Sequence, residues 1–333
     1  MTRVRIAILG CGGMAGNHAR RFDKHPDVEI VALCDIAEDI LSDFIERNLK
    51  GYEPRPAFFT DAAQMYAETG PDAVVIVTPH ALHFEHAMQA LEAGCHILME
   101  KPMVINSRQA HALAAKVDEA GKVFVIGYNS PCTPAVGYIR DVIRSGEFGK
   151  LELVSGWLTQ DWMKWAAGTW RQKPELSGGG QMYDSGAHLF NTLVWTVEQP
   201  VEAVHAFVDC KGTPVDINGT VNIRFFNGVL ATVLISGDCP TYRSEMVFVF
   251  TNGRIGVEGC NGSWIRAWKG IEETGVSFGS AITNPSDNFI DAILGRVQAR
   301  TSPINGIIQS DLMDAIYESA RTGQAAKPVC RAE

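Results

Sequence analysis

The feature that most restricts this chain is a glycine turn set between a short apolar run and an amphipathic one. Residues 4–9 are almost wholly apolar and lead straight into Gly10-Cys11-Gly12-Gly13-Met14-Ala15, after which polar and apolar residues recur at helical spacing. A G-x-G-x-x-A pattern in that setting marks the first strand-to-helix crossing of a parallel sheet that binds a dinucleotide. Gly10 permits the tight turn, Gly12 lets the backbone approach a pyrophosphate, and the small Ala15 lets helix and strand pack closely. The free N–H groups at the helix start, around Gly13 and Met14, face the phosphates. The next apolar run ends at Leu33-Cys34-Asp35, which places an acid about 20 residues beyond Gly12, the spacing at which a carboxylate reaches the adenosine ribose. Asp35 accepts hydrogen bonds from ribose hydroxyls and repels a 2′-phosphate, and Ile36 beside it offers no compensating cation. The expected cofactor is NAD, in preference to NADP.

The same rhythm continues to about residue 128. Apolar runs at 4–9, 30–33, 73–77, 96–99 and 123–126 are separated by helical stretches such as 84–92 and 107–120. Continuous apolar strands alternating with helices predict a doubly wound parallel sheet, covered on both faces. After a helix expected at 135–145, longer runs follow near 151–158, 201–208, 217–226, 229–236 and 245–250. Asn227-Gly228 and Asn252-Gly253 each sit between two of them, as in a two-residue hairpin turn. One helix is expected at 182–197 and two more near 286–299 and 307–322. The fold class is therefore α/β: an N-terminal Rossmann domain over 1–128, then an α+β domain over 129–333 with a large, mostly antiparallel open sheet.

Composition narrows the function. The formal net charge is −9 and no basic run occurs, which disfavours nucleic acid and anionic lipid as partners. No segment approaches the roughly 18 consecutive apolar residues of a membrane span, and the N-terminal run ends in a glycine turn with no cleavage pattern. Eight cysteines, Cys11, Cys34, Cys95, Cys132, Cys210, Cys239, Cys260 and Cys330, are scattered without a C-x-x-C pair and lie mostly in apolar stretches. Reduced thiols and a cytoplasmic location are expected. His80, His83 and His86 recur every third residue, but no cysteine or carboxylate cluster completes a ligand set, so no metal site is expected.

Three further motifs carry a resemblance. Thr78-Pro79-His80-Ala81-Leu82-His83, Glu100-Lys101-Pro102, and Gly178-Gly179-Gly180 followed by Asp184 and His188 stand in order after the glycine turn. With these the chain resembles the glucose–fructose oxidoreductase, inositol dehydrogenase and rhizopine-catabolism family, Gfo/Idh/MocA, along essentially its whole length. The resemblance implies a substrate cleft, a homodimer or homotetramer paired through exposed sheet faces, and a catalytic group of Lys101, Asp184 and His188. It also implies that Thr78, Pro79, His83, Glu100, Lys101 and Asn129 line the nicotinamide end of the cofactor. Two departures stand out: Ser130-Pro131-Cys132 replaces the basic residues that often follow Asn129, and Asn191 replaces a frequent aspartate.

The residue types suit hydride transfer to or from an alcohol carbon. Imidazole titrates near pH 6.5 and suits a proton acceptor at neutral pH, a role for His188. Lys101, at a strand end, can stabilise negative charge on the substrate oxygen; which of the two takes the proton stays open. Asp184, four residues before His188, is expected on the same face of one helix. Trp157, Trp162, Trp165 and Trp170 crowd into 157–170, just before Arg171. Trp162, Trp165 and Trp170 could stack on a sugar ring while Arg171, Lys101, Asp184 and His188 bind its oxygens. Packing is the competing role for each tryptophan. The function expected is an NAD-dependent dehydrogenase of a sugar, sugar derivative or cyclitol. The alternatives are redox-assisted glycoside cleavage or elimination with transient NAD reduction, and a non-catalytic NAD-sensing regulator.

Overall fold

The computed structural model describes residues 3–278 and 284–328. The chain divides into two compact units. In the first, β1 (Val4–Leu9), α1 (Gly13–Asp23), β2 (Val28–Cys34), α2 (Glu38–Asn48), β3 (Ala57–Phe59), α3 (Ala62–Thr69), β4 (Ala73–Ile76), α4 (His83–Glu92), β5 (His96–Met99), α5 (Ser107–Ala120) and β6 (Phe124–Ile126) alternate. The six strands are all parallel, in the order β3-β2-β1-β4-β5-β6. Order reverses between β1 and β4, and every strand delivers its following loop to the same carboxyl edge, where such sheets bind ligands. Ile6, Ile8, Ile30, Leu33, Val75 and Leu98 are wholly buried in the core of this unit. Helices on both faces explain why the strands read as continuous apolar runs.

The second unit follows with α6 (Pro134–Ser145), β7 (Leu151–Thr159), α7 (Trp162–Trp165), α8 (Pro174–Ser177), α9 (Gly186–Val197) and then β8 (Val201–Asp209), β9 (Asn218–Phe225), β10 (Leu230–Ser236), β11 (Arg243–Phe250), β12 (Gly253–Val257), β13 (Ile265–Lys269) and β14 (Glu272–Thr274). Its eight strands run β14-β13-β12-β11-β7-β10-β9-β8. All pairs are antiparallel except β7 with β10. One face carries Val154, Leu158, Val221, Ile223, Val233 and Phe248 against Leu189, Phe190 and Leu193 of α9. Each such side chain contributes on the order of 1.5–3 kcal/mol by leaving water. The strict alternation along β9 leaves its other face to solvent.

Two helices remain, α10 (Pro285–Ile293) and α11 (Pro303–Thr322). The helix α11 joins the second core through Leu312, Met313 and Ile316. The helix α10 does not: Phe289 and Ile290 are wholly buried in the first core. Thr301 stitches the same return segment to β6, donating from its hydroxyl to the Ile126 carbonyl at 2.7 Å and accepting from the Ile126 amide at 3.0 Å. The residues after 128 are thus not one continuous domain, because 284–304 return to the first unit.

Both Asn-Gly turns differ from the sequence expectation. Gly228 alone has positive φ, at 85°, and closes a three-residue loop over 226–228, with its amide on the Phe225 carbonyl. Gly253 is the first residue of β12, with ordinary φ. Glycine is required there because a Cβ would overlap the Trp268 carbonyl and lie 2.7 Å from the Phe148 ring.

Candidate functional site

At the carboxyl edge of the first sheet, the glycine turn takes its shape from its neighbours. Gly10 has φ 89°, and a Cβ there would lie 2.7 Å from the Val77 carbonyl oxygen, so only glycine fits. By contrast, a Cβ on Gly12 or Gly13 meets nothing within 4 Å, which leaves that side of the turn open. The helix α1 has Gly12 as its N-cap, without a capping side chain and without an acid in its first turn. Its first N–H groups are therefore free to receive an anion, and the aligned peptide dipoles favour one. Asp35 stands beside them: its Oδ2 accepts from the Cys11 amide at 2.8 Å. Ile36 is 93% exposed and brings no charge. Met14 is 38% exposed at the start of the helix.

Thr78 and Pro79 follow β4 on the same edge, and His83 ties them down. With no exposed surface, its ring sits between two carbonyls, Pro102 O at 2.8 Å from Nδ1 and Thr78 O at 2.9 Å from Nε2. Burial pushes its pKa below the ordinary value, the two carbonyls and Glu100 pulling the other way. A neutral ring donates to one carbonyl only. His86 Nδ1 meets the Thr78 hydroxyl at 2.9 Å.

Glu100 and Lys101 leave β5 on this edge too. The Glu100 side chain is buried, with Oε1 3.0 Å from His18 Nε2 and Oε2 accepting from the Lys101 amide at 3.1 Å. The other nitrogen of His18 lies 2.8 Å from the Ser286 hydroxyl. Burial alone would raise the Glu100 pKa; the His18 hydrogen bond and charge, together with Lys101, outweigh it and hold the carboxyl below its usual range. Neither His18 nor Ser286 carries a sequence signal for this role. The histidine reads as one more helical position, and the serine lies 268 residues away. Lys101 itself is half-buried.

In the second unit the three glycines form a turn pinned by Asp216. Its carboxylate accepts from the amides of Gly180 at 2.6 Å and Met182 at 2.7 Å, and from the Tyr317 hydroxyl at 2.6 Å. This corrects one expectation: α9 begins only at Gly186, so Asp184 lies in the preceding turn and not on the helix that carries His188. The aspartate has its own anchors. Its Oδ2 accepts from Trp162 Nε1 at 2.9 Å and from Arg171 Nε at 3.0 Å. Trp162 is wholly buried beside Ala166, Val215 and Ile217, so it offers no face to a ligand and serves as packing and as a donor to Asp184. Trp165, 45% exposed, and half-buried Trp170 flank the Arg171 guanidinium at 5.3 Å and 4.6 Å. His188 is half-buried in the first turn of α9, with Tyr128 edge-on at 5.8 Å.

Residues 4–128 match the family described as oxidoreductase family, NAD-binding Rossmann fold, and residues 136–256 match the GFO/IDH/MocA C-terminal domain. The chain belongs to the Gfo/Idh/MocA family. Among curated relatives, this Gfo/Idh/MocA chain is 27% identical to D-glucoside 3-dehydrogenase of Escherichia coli, over 61% of the chain and 57% of that protein. It is 31% identical to the rhizopine catabolism protein MocA of Rhizobium meliloti, over 60% of the chain and 59% of that protein. It therefore spans less than two thirds of the length of these relatives. A crystal structure of aldose-aldose oxidoreductase from Caulobacter crescentus, complexed with glycerol, superimposes with a TM-score of 0.85 at 21% identity, covering 98% of this chain and 99% of that one, a likeness of fold.

The departures from the common Gfo/Idh/MocA pattern have local explanations. Asn191 is wholly buried and donates to Gln309 Oε1 at 3.2 Å, where an aspartate would be a buried charge facing an acceptor. Ser130 accepts at 2.9 Å from the Thr192 hydroxyl within the second unit. Asn129 is half-buried at the start of that turn. Among the described residues no helix is long and apolar enough to cross a membrane. The seven described cysteines are free thiols, and burial pushes Cys34 up to about 11; Cys330 lies outside the described residues.

Proposed function

We propose that this chain is a cytoplasmic, NAD-dependent dehydrogenase that moves a hydride between nicotinamide and a hydroxyl or keto carbon of a sugar, sugar derivative or cyclitol. The observation that carries the reading is the uncapped start of α1 beside Asp35, on the same sheet edge that presents Glu100 and Lys101. NAD, when bound, supplies the hydride acceptor. The amides of Gly12, Gly13 and Met14 hold its phosphates, and Asp35 offers its remaining oxygen, Oδ1, to a ribose hydroxyl. Thr78, Pro79, Glu100 and Asn129 position the nicotinamide end, and His83 acts through the two loops that it ties together. The Lys101 ammonium donates to the substrate oxygen, and His188 takes the hydroxyl proton. Asp184 and Arg171 bind neighbouring hydroxyls, with Trp165 and Trp170 as apolar walls.

The test is absorbance at the reduced-nicotinamide band across monosaccharides, cyclitols and glycosides, with each cofactor in turn. Reduction by a ring polyol is expected, with kcat/KM higher for NAD than for NADP. A higher value with NADP overturns the Asp35 argument, and no reduction with any member of the panel overturns the dehydrogenase. Glycoside cleavage without accumulated NADH would favour the redox-assisted alternative.

We also propose that the open sheet face pairs two copies of the chain. Leu153, Leu234 and Phe207, 48, 47 and 64% exposed, lie on it with Trp157, which pairs with Leu234 in register. Large apolar side chains exposed on one sheet face mark association sites. Leu234→Glu is expected to convert the oligomer to monomer in sedimentation equilibrium with its melting temperature kept; a wild type that is monomeric at micromolar concentration refutes the pairing.

A further inference from the structure

One buried cluster in the first unit contains two residues, His18 and Ser286, that have no part in the roles assigned above. His18 lies on α1, shortly after the glycine turn, and its ring spans from Ser286 Oγ on α10 at 2.8 Å to Glu100 Oε1 at the end of β5 at 3.0 Å. The relative exposures of the three residues are 1, 0 and 6%. The Ser–His–Glu order resembles that of a hydrolytic relay, but the hydroxyl has no exposed surface on which to meet a substrate. Its direction is instead toward Lys101. An ionised Glu100 only accepts, so Nε2 of His18 carries a proton toward it, and Nδ1 faces the serine. The second carboxylate oxygen is thereby left for the Lys101 amide, 3.1 Å away. Room for this carboxylate exists because residue 127 is glycine: a Cβ there would lie 2.9 Å from Oε1.

We propose that His18, steadied by Ser286, is a positioning residue for Lys101, acting through the Glu100 carboxylate that it orients. The cluster also links the helix whose start is proposed to receive the cofactor phosphates to the strand end that carries the proposed catalytic lysine. The proposal rests on the dehydrogenase reading above. The charged and titratable groups facing Glu100 are His18 from α1, Lys101 beside it and His83 from α4. Without His18, burial, the largest influence on Glu100, meets less opposition and drives its carboxyl upward, toward the protonated form. A protonated carboxyl no longer fixes the Lys101 amide in one geometry.

The experiment compares pH profiles of kcat, and NADH dissociation constants from fluorescence, for wild type, His18→Leu, Ser286→Ala, Glu100→Gln and the His18→Leu/Glu100→Gln pair. In His18→Leu, kcat is expected to acquire a second acid limb beyond the one that protonation of His188 gives wild type, falling on the order of tenfold across it, while NADH binding changes by less than about threefold. Ser286→Ala shows a shallower additional limb of the same sign. In the double variant the additional limb disappears, because no carboxylate is left at position 100 to protonate, and the limb set by His188 stays. A wild-type profile in a folded His18→Leu overturns the proposal, as does an additional limb that persists in the Glu100→Gln background. If His18→Leu does not fold, Ser286→Ala, which removes one hydroxyl, decides, and an unchanged profile there overturns it. A wild type that neither binds NADH nor turns over brings down the dehydrogenase reading and this proposal together, whereas a competent wild type whose variants share its pH profile brings down this proposal alone.

Discussion

Lys101→Met is expected to lower kcat by about 10²- to 10⁴-fold, with the NADH dissociation constant and melting temperature close to wild type. The argument begins with what the substitution preserves. The main-chain amide of Lys101 donates to Glu100 Oε2, and methionine keeps that amide. The side chain is half-buried, and methionine also keeps most of the apolar stem that packs there. Only the ammonium is lost, and with it the donor proposed to stabilise charge on the substrate oxygen as the hydride moves. Because that charge develops in the transition state, the loss falls on kcat more than on KM. Lys101→Arg should not restore the rate, since a planar fork cannot place one donor where a compact ammonium did. Stopped-flow single turnovers separate chemistry from product release; hydride transfer in Lys101→Met within a few-fold of wild type would refute the role.

The second large effect is on folding. Gly180→Ala is expected to cost the second unit more than the ~1–3 kcal/mol of ordinary overpacking, lowering its melting temperature by roughly 5–10 °C or more. A Cβ on Gly180 would overlap the Asp216 carbonyl oxygen and lie 2.7 Å from the Asp216 amide. Both neighbours are backbone atoms, so no rotamer change relieves the clash. If Asp216 moves away, its buried carboxylate gives up the amides of Gly180 and Met182 and the Tyr317 hydroxyl, the partners that make its burial tolerable. Activity should fall as well, because the Gly180 carbonyl accepts from the Asp184 amide at 3.0 Å and helps to place that aspartate. Calorimetry of the variant beside wild type checks the first effect; a melting temperature within about 1 °C of wild type would contradict the packing argument.

The parallel sheet was readable in the sequence because burial on both faces makes each strand a continuous apolar run, and because glycine at position 10 leaves no choice of turn. Strand β3 escaped since three residues are too few to set a rhythm, and β12 to β14 escaped because two glycines and a polar edge interrupt the alternation. The misplacement of Asp184 has a different cause. Its spacing to His188 fits one helical turn, but the backbone just before it is held by Asp216, 36 residues beyond Gly180. A local pattern carries no information about so distant an anchor. Trp162 illustrates the same limit: four tryptophans in one stretch show that aromatic surface is needed, not which ring faces inward. The place of Asp35 beside the glycine turn was legible because it follows the end of a neighbouring strand, whereas the contacts of His18 form only when Ser286 and Glu100 arrive from other parts of the chain.

The return of α10 to the first core changes what counts as a separable piece of this protein. A fragment cut after Gly127 would lack Phe289 and Ile290, both wholly buried there, and would also lose the Thr301 hydroxyl that closes β6. Modular exchange of the nucleotide-binding half with a paralogue must therefore transplant two stretches of gene, the second encoding 284–304, or the recipient inherits an apolar socket with nothing to fill it.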